Sequence, residues 1–357
     1  MNRYDCEQWF KDIDMVIHNC GLLEELDALA GSSILITGAG GLIGSAIADV
    51  FVYYNETHDL PIMVFASGRN QERVAGRFLP YCKRAYFRII SYDALRTDNE
   101  LPTEADYIIH GAGNASPRMI MSEPVETMVG NVLGLYHLLE YGKERGAKRV
   151  LYISSSEVYG TKEGSQPYGE REYGYIDLLN PRNSYSTGKR AAETLCVSYG
   201  LEYGVDSVIV RPGHIYGPTA LEGDDRIASA FAYQAARGED LVMKSEGEQI
   251  RSYCHCLDCA AAVIKVLLKG EGGQAYNISN PDSVITIKQM AELAAEAGGV
   301  RLLRQEVREE ERKGFNPMSN SSLDSASLMG LGWKGCFDAR TGILHTVDLL
   351  KELESYG

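Results

Sequence analysis

A short apolar run at 34–37 leads directly into Thr37-Gly38-Ala39-Gly40-Gly41-Leu42-Ile43-Gly44-Ser45-Ala46, and an apolar helical stretch comes next. Glycines at 38, 41 and 44 let the chain turn tightly after a strand. They also bring backbone N–H groups against a pyrophosphate and let the next helix pack closely on that strand. A glycine triad by itself is only a glycine-rich turn. With a strand before it and a helix after it, the triad reads as a dinucleotide loop, with Gly38, Gly41, Leu42, Ile43 and Gly44 at the phosphates.

The pattern downstream agrees. Apolar runs at 34–37, 62–67, 86–91, 107–110, 150–154 and 207–211 alternate with amphipathic segments. This is the signature of an α/β protein with a doubly wound parallel sheet covered by helices on both faces, a Rossmann architecture. Beyond Arg211 the chain becomes loop-rich, with helical patterns at 226–237, 258–268 and 287–297 and a short strand at 275–278. Three units are expected: an N-terminal helical extension (1–30), a Rossmann dinucleotide-binding domain (31–211) and a smaller C-terminal α/β domain (212–357), some of whose segments return to the first sheet. The extension carries Trp9, Phe10, Ile13, Val16, Ile17, Leu22, Leu23, Leu26 and Leu29 at roughly helical spacing, which predicts one or two amphipathic helices packed on the main body.

Charge limits the partners. Lys plus Arg number 35 and Asp plus Glu 49 in 357 residues, a net charge of −14. A chain this acidic lacks the basic face that nucleic acid or an anionic membrane requires. A small anionic ligand is still allowed, because backbone amides and a few arginines hold it locally. The surplus acid is expected on surface helices such as 306–311. The N-terminus lacks the basic-then-apolar order of a signal peptide, and no run of about 18 apolar residues occurs; a cytoplasmic protein is expected. Eight cysteines in this length do not make a disulfide framework. The Cys254-His255-Cys256-Leu257-Asp258-Cys259 cluster has no second half, so no metal site is expected.

An acidic residue usually ends the second strand and meets the adenine ribose. Here that strand ends Phe65-Ala66-Ser67-Gly68-Arg69-Asn70. Ser67 suits a ribose hydroxyl, and Arg69 suits either a 2′-phosphate or stacking on adenine, so NAD is expected with NADP left open.

Two segments bear on chemistry: Tyr152-Ile153-Ser154-Ser155-Ser156-Glu157-Val158-Tyr159-Gly160 at the end of a strand, and Asn183-Ser184-Tyr185-Ser186-Thr187-Gly188-Lys189-Arg190 opening a helix. Tyr185 and Lys189, four residues apart, share a helix face. There an ammonium can lower the phenol pKa and reach a cofactor ribose. A phenolate so poised takes a hydroxyl proton while hydride leaves the carbon that bears it.

The glycine triad, the serine run and the Tyr-xxx-Lys pair, in this order, resemble the extended short-chain dehydrogenase/reductase superfamily, in particular its nucleotide-sugar epimerases, dehydratases and decarboxylases. The resemblance implies that Ser155 hydrogen-bonds the reacting hydroxyl, Tyr185 is the base and Lys189 is its activator and ribose ligand. It puts Asp93 at the adenine, Gly111 and Ala112 beside the cofactor and Asn131 behind the site. For Asp93 and Asn131 a loop or capping role is the competing reading. Arg211-Pro212-Gly213-His214-Ile215-Tyr216-Gly217-Pro218 is similar to the family's loop into the substrate domain, with His214 where Asn is usual, so a ligand and a structural histidine both remain open. Residues 251–258 are similar to the family's Arg-Asp-Tyr-Ile-His-Val-x-Asp segment, with Ser252 replacing Asp. This reading puts Cys254 and Cys256 at buried strand positions and makes Arg251 and Arg226 pyrophosphate-clamp candidates or, alternatively, surface ion pairs. A homodimer through two helices, one containing Tyr185, is implied by the resemblance alone.

Members of this family open by oxidising C4 of the sugar. The later steps depend on the substrate and on one further acid, and Glu157 is the informative residue. Ser-Glu-Val-Tyr-Gly looks like the UDP-glucuronate decarboxylases, Ser-Glu also occurs in GDP-mannose dehydratases, and simple 4-epimerases usually lack an acid there. A carboxylate that merely caps the loop is the bland alternative. Pro181-Arg182 and Asp224-Asp225-Arg226 also look like the decarboxylase branch; Arg182 meets either a carboxylate substrate or a neighbouring loop. The expectation is a nucleotide-sugar decarboxylase or dehydratase, with a 4-epimerase as the alternative. A net reductase, a non-catalytic NAD(P)-sensing protein and an assembly subunit are more distant readings.

Overall fold

In the computed structural model, residues 3–305 and 318–354 are described; the acidic stretch at 306–311 lies outside them. After α1 (Glu7–Asn19) and α2 (Leu23–Leu29), the chain alternates through β1 (Ser33–Thr37), α3 (Leu42–Thr57), β2 (Met63–Gly68), α4 (Gln71–Arg77), β3 (Phe87–Ser91) and β4 (Tyr107–His110). It continues through α5 (Pro117–Ser122), α6 (Pro124–Arg145), β5 (Arg149–Ile153), α7 (Ser184–Tyr203) and β6 (Ser207–Pro212). The C-terminal part contains β7 (His214–Tyr216), α8 (Ile227–Ala236), β8 (Leu241–Met243), β9 (Ile250–His255), α9 (Cys256–Lys269) and β10 (Ala275–Ile278). Then come β11 (Val284–Thr286), α10 (Ile287–Gly298), β12 (Leu302–Arg304), β13 (Asn320–Ser321), α11 (Ala326–Gly330) and α12 (Ala339–Glu354).

Seven strands form one sheet in the order β10-β6-β5-β4-β1-β2-β3, and every pairing in it is parallel. Central strands read Ile34-Leu35-Ile36 and Val150-Leu151-Tyr152, buried on both faces, as a parallel sheet between two helical layers requires. Strand order reverses between β1 and β4, so a crevice opens beyond their C-terminal ends, where doubly wound sheets bind ligands. β10 crosses back from the C-terminal part to pair with β6.

A second, smaller sheet groups β7, β11 and β13 around β9. α8, α10 and α12 pack beside it around Phe231, Met290, Ile343 and Val347. Cys254 lies in β9, whereas Cys256 is the first residue of α9 and not a strand residue. The segment turns from strand to helix at His255, whose Nδ1 accepts the Leu257 amide and starts the helix. Both thiols are buried.

α1 and α2 bury Trp9, Ile13, Val16, Leu22, Leu26 and Leu29 in the same core as α3 and α9. Polar ties fasten them as well: Arg3 to Asp49, Glu25 to Lys265, and Asp12 to His345. Among the described residues no helix is long and apolar enough to cross a membrane.

Candidate active site

The glycine loop sits at the switch point. Gly38 has φ +74°, and a Cβ there would lie 2.7 Å from the Gly111 carbonyl oxygen at the end of β4. At Gly44 a Cβ would come within 2.4 Å of the Gly38 carbonyl, so the first turn of α3 packs on the loop only because the side chain is missing. Among the described residues no side chain caps α3. Its first-turn amides are therefore left for a ligand, and the helix dipole favours an anion there. The cleft is lined by Gly38, Gly40 and Gly41, by Arg69 and Arg73 beyond β2, by Asp93, and by Ala112 and Asn131. This cradle fits a dinucleotide pyrophosphate and adenosine.

Ser67 does not line this cleft as expected. Its side chain is buried in the sheet and donates to the Ile36 carbonyl at 3.2 Å, while Gly68 and Arg69, where the strand ends, line the cleft. Asp93 lines the cleft, and its carboxylate also accepts the Leu95 amide at 3.0 Å. Asn131 is buried on α6 and donates to Thr127 O at 2.7 Å. Arg73 and Asn114 line the cleft too; no motif in the sequence singled them out.

Beyond the cleft, Ser155 caps the short turn Ser156–Tyr159 after β5 by accepting the Glu157 amide at 3.2 Å. Tyr185 and Lys189 are buried on the first turns of α7. Burial pushes the Tyr185 phenol up to about 12 and Glu157 adds to this, while Ser155, Arg226 and Arg182 favour its ionised form. Lys189 donates to Ile153 O at 2.8 Å, and its Nζ lies 5.7 Å from the Tyr185 ring centroid. Burial lowers its pKa to about 7, with Glu193 opposing. Arg190 donates to Val158 O at 2.6 Å and to Gly174 O at 3.0 Å, which pins the turn that carries Ser155 and Glu157 against α7.

Glu157 is held by Arg182 through two hydrogen bonds of 2.9 Å, and by Ser186 Oγ at 3.2 Å. Arg182 thus meets the neighbouring loop through Glu157. His214 lies in β7, with burial lowering its pKa to about 3 and Arg251 and Arg226 acting in the same direction, which favours the neutral ring; among the described residues its Nδ1 has no hydrogen-bond partner. Arg226 pairs with Asp224, its Nε 2.9 Å from Oδ1. Arg251 is 3 % exposed and donates to the carbonyls of Ile250 and Met318. Among the described residues no carboxylate forms an ion pair with it. Its pKa is lowered by burial, and Tyr253 and Glu157 oppose that. Tyr185 thus feels the charges of Glu157, Arg182 and Arg226, and His214 those of Arg226 and Arg251.

A doubly wound sheet with a glycine loop at its switch point and a buried Ser, Tyr and Lys beside it defines a nicotinamide-dependent enzyme of the extended short-chain dehydrogenase/reductase kind. The profile of the "NAD dependent epimerase/dehydratase family" matches residues 34–279, and the chain belongs to that family. The family is NAD dependent by its description. The chain is 30% identical over 327 residues to UDP-glucuronic acid decarboxylase 1 of Xenopus tropicalis, covering 90% of this chain and 73% of that protein. It is 32% identical over 313 residues to UDP-glucuronic acid decarboxylase 3 of Arabidopsis thaliana, covering 87% and 86%. Among solved structures, the dTDP-glucose 4,6-dehydratase of Streptomyces venezuelae with NAD bound superposes with a TM-score of 0.76 at 22% identity, covering 91% of this chain and 98% of that one. The UDP-glucuronic acid 4-epimerase of Bacillus cereus with UDP-glucuronic acid and NAD gives 0.75 at 20%, covering 90% and 99%. At these identities the two structures speak to the fold.

Proposed function

We propose that the protein decarboxylates a UDP-glucuronate-like nucleotide sugar after oxidation at C4. The observation that carries this is the pairing of charges in the site. Arg182 is taken by Glu157, whereas Arg251 is buried without a carboxylate of its own among the described residues and lies within electrostatic reach of Glu157. A buried guanidinium without an anion is costly, and a substrate carboxylate or diphosphate relieves that cost. The named relatives support the uronate reading.

NAD, held by the glycine loop at Gly38, Gly41 and Gly44 and by Lys189, would supply the acceptor for the C4 hydride and the source of its return. Tyr185 takes the C4 hydroxyl proton while Ser155, which favours the ionised phenol, holds that oxygen. Once C4 is a ketone, the C5 carboxyl is a β-keto acid. Its C5–C6 bond breaks with loss of carbon dioxide, and the electron pair is delocalised onto the C4 oxygen. Glu157, aimed by Arg182 and Ser186, assists proton delivery to C5. His214 and Arg226 serve the nucleotide diphosphate. In this reading residues 31–211 hold the cofactor, and 212–357 hold most of the sugar nucleotide.

The reading includes a homodimer. Val125, Met128, Val129 and Tyr136 on α6 and Val197 and Leu201 on α7 are exposed apolar side chains on two helices packed together, a surface of the kind that partners cover. A second copy of the chain is the proposed partner; Leu201→Glu then gives a monomer in sedimentation. A cytoplasmic location is also proposed, supported by eight free thiols.

The test offers UDP-glucuronate, UDP-glucose, dTDP-glucose and GDP-mannose with NAD and tracks products by NMR and carbon dioxide release. Release from the uronate alone supports decarboxylation. A 4-keto-6-deoxy product or a C4 epimer would replace it with the dehydratase or epimerase reading.

A further inference from the structure

Cys20 ends α1 and Cys336 lies just ahead of α12, yet their sulfurs are 3.4 Å apart. Neither belongs to the site described above. Each segment is pinned. The Cys20 amide donates to Val16 O at 2.9 Å as the helix ends, and its Sγ donates to Lys334 O at 2.9 Å. On the other side, the Asp258 carboxylate accepts the amides of Cys336 at 2.8 Å and Phe337 at 3.0 Å, and Trp333 Nε1 donates to the Asp258 carbonyl at 3.1 Å. The two sulfurs meet because α1 and this segment are both held against α9.

A disulfide bond length of about 2.0 Å asks for roughly 1.4 Å of further approach. Cys20 is buried, whereas Cys336 is half-buried and open to a small reagent. We propose that Cys20 and Cys336 form a reversible disulfide site, which clips the N-terminal helices to the segment before α12 when a small disulfide such as oxidised glutathione is present. The Cys336 thiolate attacks one sulfur of the reagent, whose S–S bond breaks and releases one thiolate. Cys20 then attacks Cys336 Sγ and expels the second thiolate, and the protons given up by Cys336 and Cys20 end on the two released small thiols. Two protein thiols are oxidised and one small disulfide is reduced to two thiols. The Cys336 contact and burial raise the Cys20 thiol pKa, so exchange is slow and begins at Cys336.

The Asp258 carboxylate lies close to both sulfurs, which raises a metal as the competing occupant. Both carboxylate oxygens already accept backbone amides, and a closed zinc site takes four ligands, so the geometry favours the disulfide.

The full chain is incubated with oxidised glutathione, digested without reduction and mapped by mass spectrometry, and its unfolding midpoint is recorded. The expected result is one internal bridge joining the Cys20 and Cys336 peptides and a midpoint about 3–5 °C higher, both reversed by reduced glutathione. Cys20→Ser and Cys336→Ser each abolish bridge and shift; Cys82→Ser leaves both. A glutathione adduct that stays on Cys336, a bridge to another cysteine, or zinc bound at one equivalent and lost in Cys20→Ser would overturn the proposal. The wild-type peptide map alone decides if a variant fails to fold.

Discussion

Arg182 and Glu157 face each other through two parallel hydrogen bonds of 2.9 Å, joining the segment that opens α7 to the turn after β5. The guanidinium is buried and the carboxylate about one-fifth exposed. The fork therefore sets the direction of the Glu157 carboxylate beside Tyr185, and Arg182 acts as a positioning residue.

Replacing Arg182 by Met leaves Glu157 unpaired at a largely buried position. A loss of about 2–3 kcal/mol in stability is expected, somewhat less than for a fully buried pair, and kcat should fall about 100-fold while KM for NAD stays unchanged. Arg182→Lys keeps the charge but not the fork, so it should recover stability more than kcat. Denaturant melts and steady-state kinetics on both variants check this; a Lys variant with full kcat would show that the fork geometry is irrelevant.

Gly44→Ala places a methyl against the Gly38 carbonyl. The turn must open, at a cost of about 1–3 kcal/mol, and the loop loses its approach to the pyrophosphate. NAD affinity, read by calorimetry, should drop at least tenfold. Gly76→Ala, where a Cβ meets nothing within 4 Å, is the control and should bind normally.

The N-terminal helices carry a pH signature. His345 Nδ1 lies 3.1 Å from both Asp12 carboxylate oxygens, and that contact raises the His345 pKa above its ordinary 6.5. A histidine raised in the folded state contributes stability fully below about pH 6.5, and loses it as pH rises through the folded value. The ring is partly exposed, so the effect is under about 1 kcal/mol. Wild type should keep its advantage over His345→Gln below about pH 6.5 and lose it as the pH rises beyond that, as read by melts from acid to alkaline pH; a constant difference would show that the pair does not titrate with folding.

The parallel sheet was legible because its strands are uninterrupted apolar runs, and the glycine loop because positions 38 and 44 tolerate no side chain. The amphipathic spacing of Trp9, Ile13, Val16 and Leu26 announced the N-terminal helices, and these residues are buried. Ser67 misleads because its hydroxyl is taken by the Ile36 carbonyl of the neighbouring strand, a contact that nothing in the local sequence records. Cys256 misleads because a strand running straight into a helix leaves no polar gap between them. The Arg182–Glu157 fork depends on two segments meeting in space, and nothing local in either one records it.

Oxidation at C4 with Tyr185 as base, and then loss of the C5 carboxyl, can be read in one experiment. UDP-glucuronate isotopically labelled at that carboxyl is given to wild type, Tyr185→Phe and Glu157→Gln, and labelled carbon dioxide and sugar products are tracked by NMR. Labelled carbon dioxide is expected from wild type, a rate at least about 1,000-fold lower from Tyr185→Phe, and slowed turnover with a detectable 4-keto sugar from Glu157→Gln. Undiminished release from Tyr185→Phe, or a wild-type product that keeps its labelled carboxyl, would contradict this mechanism.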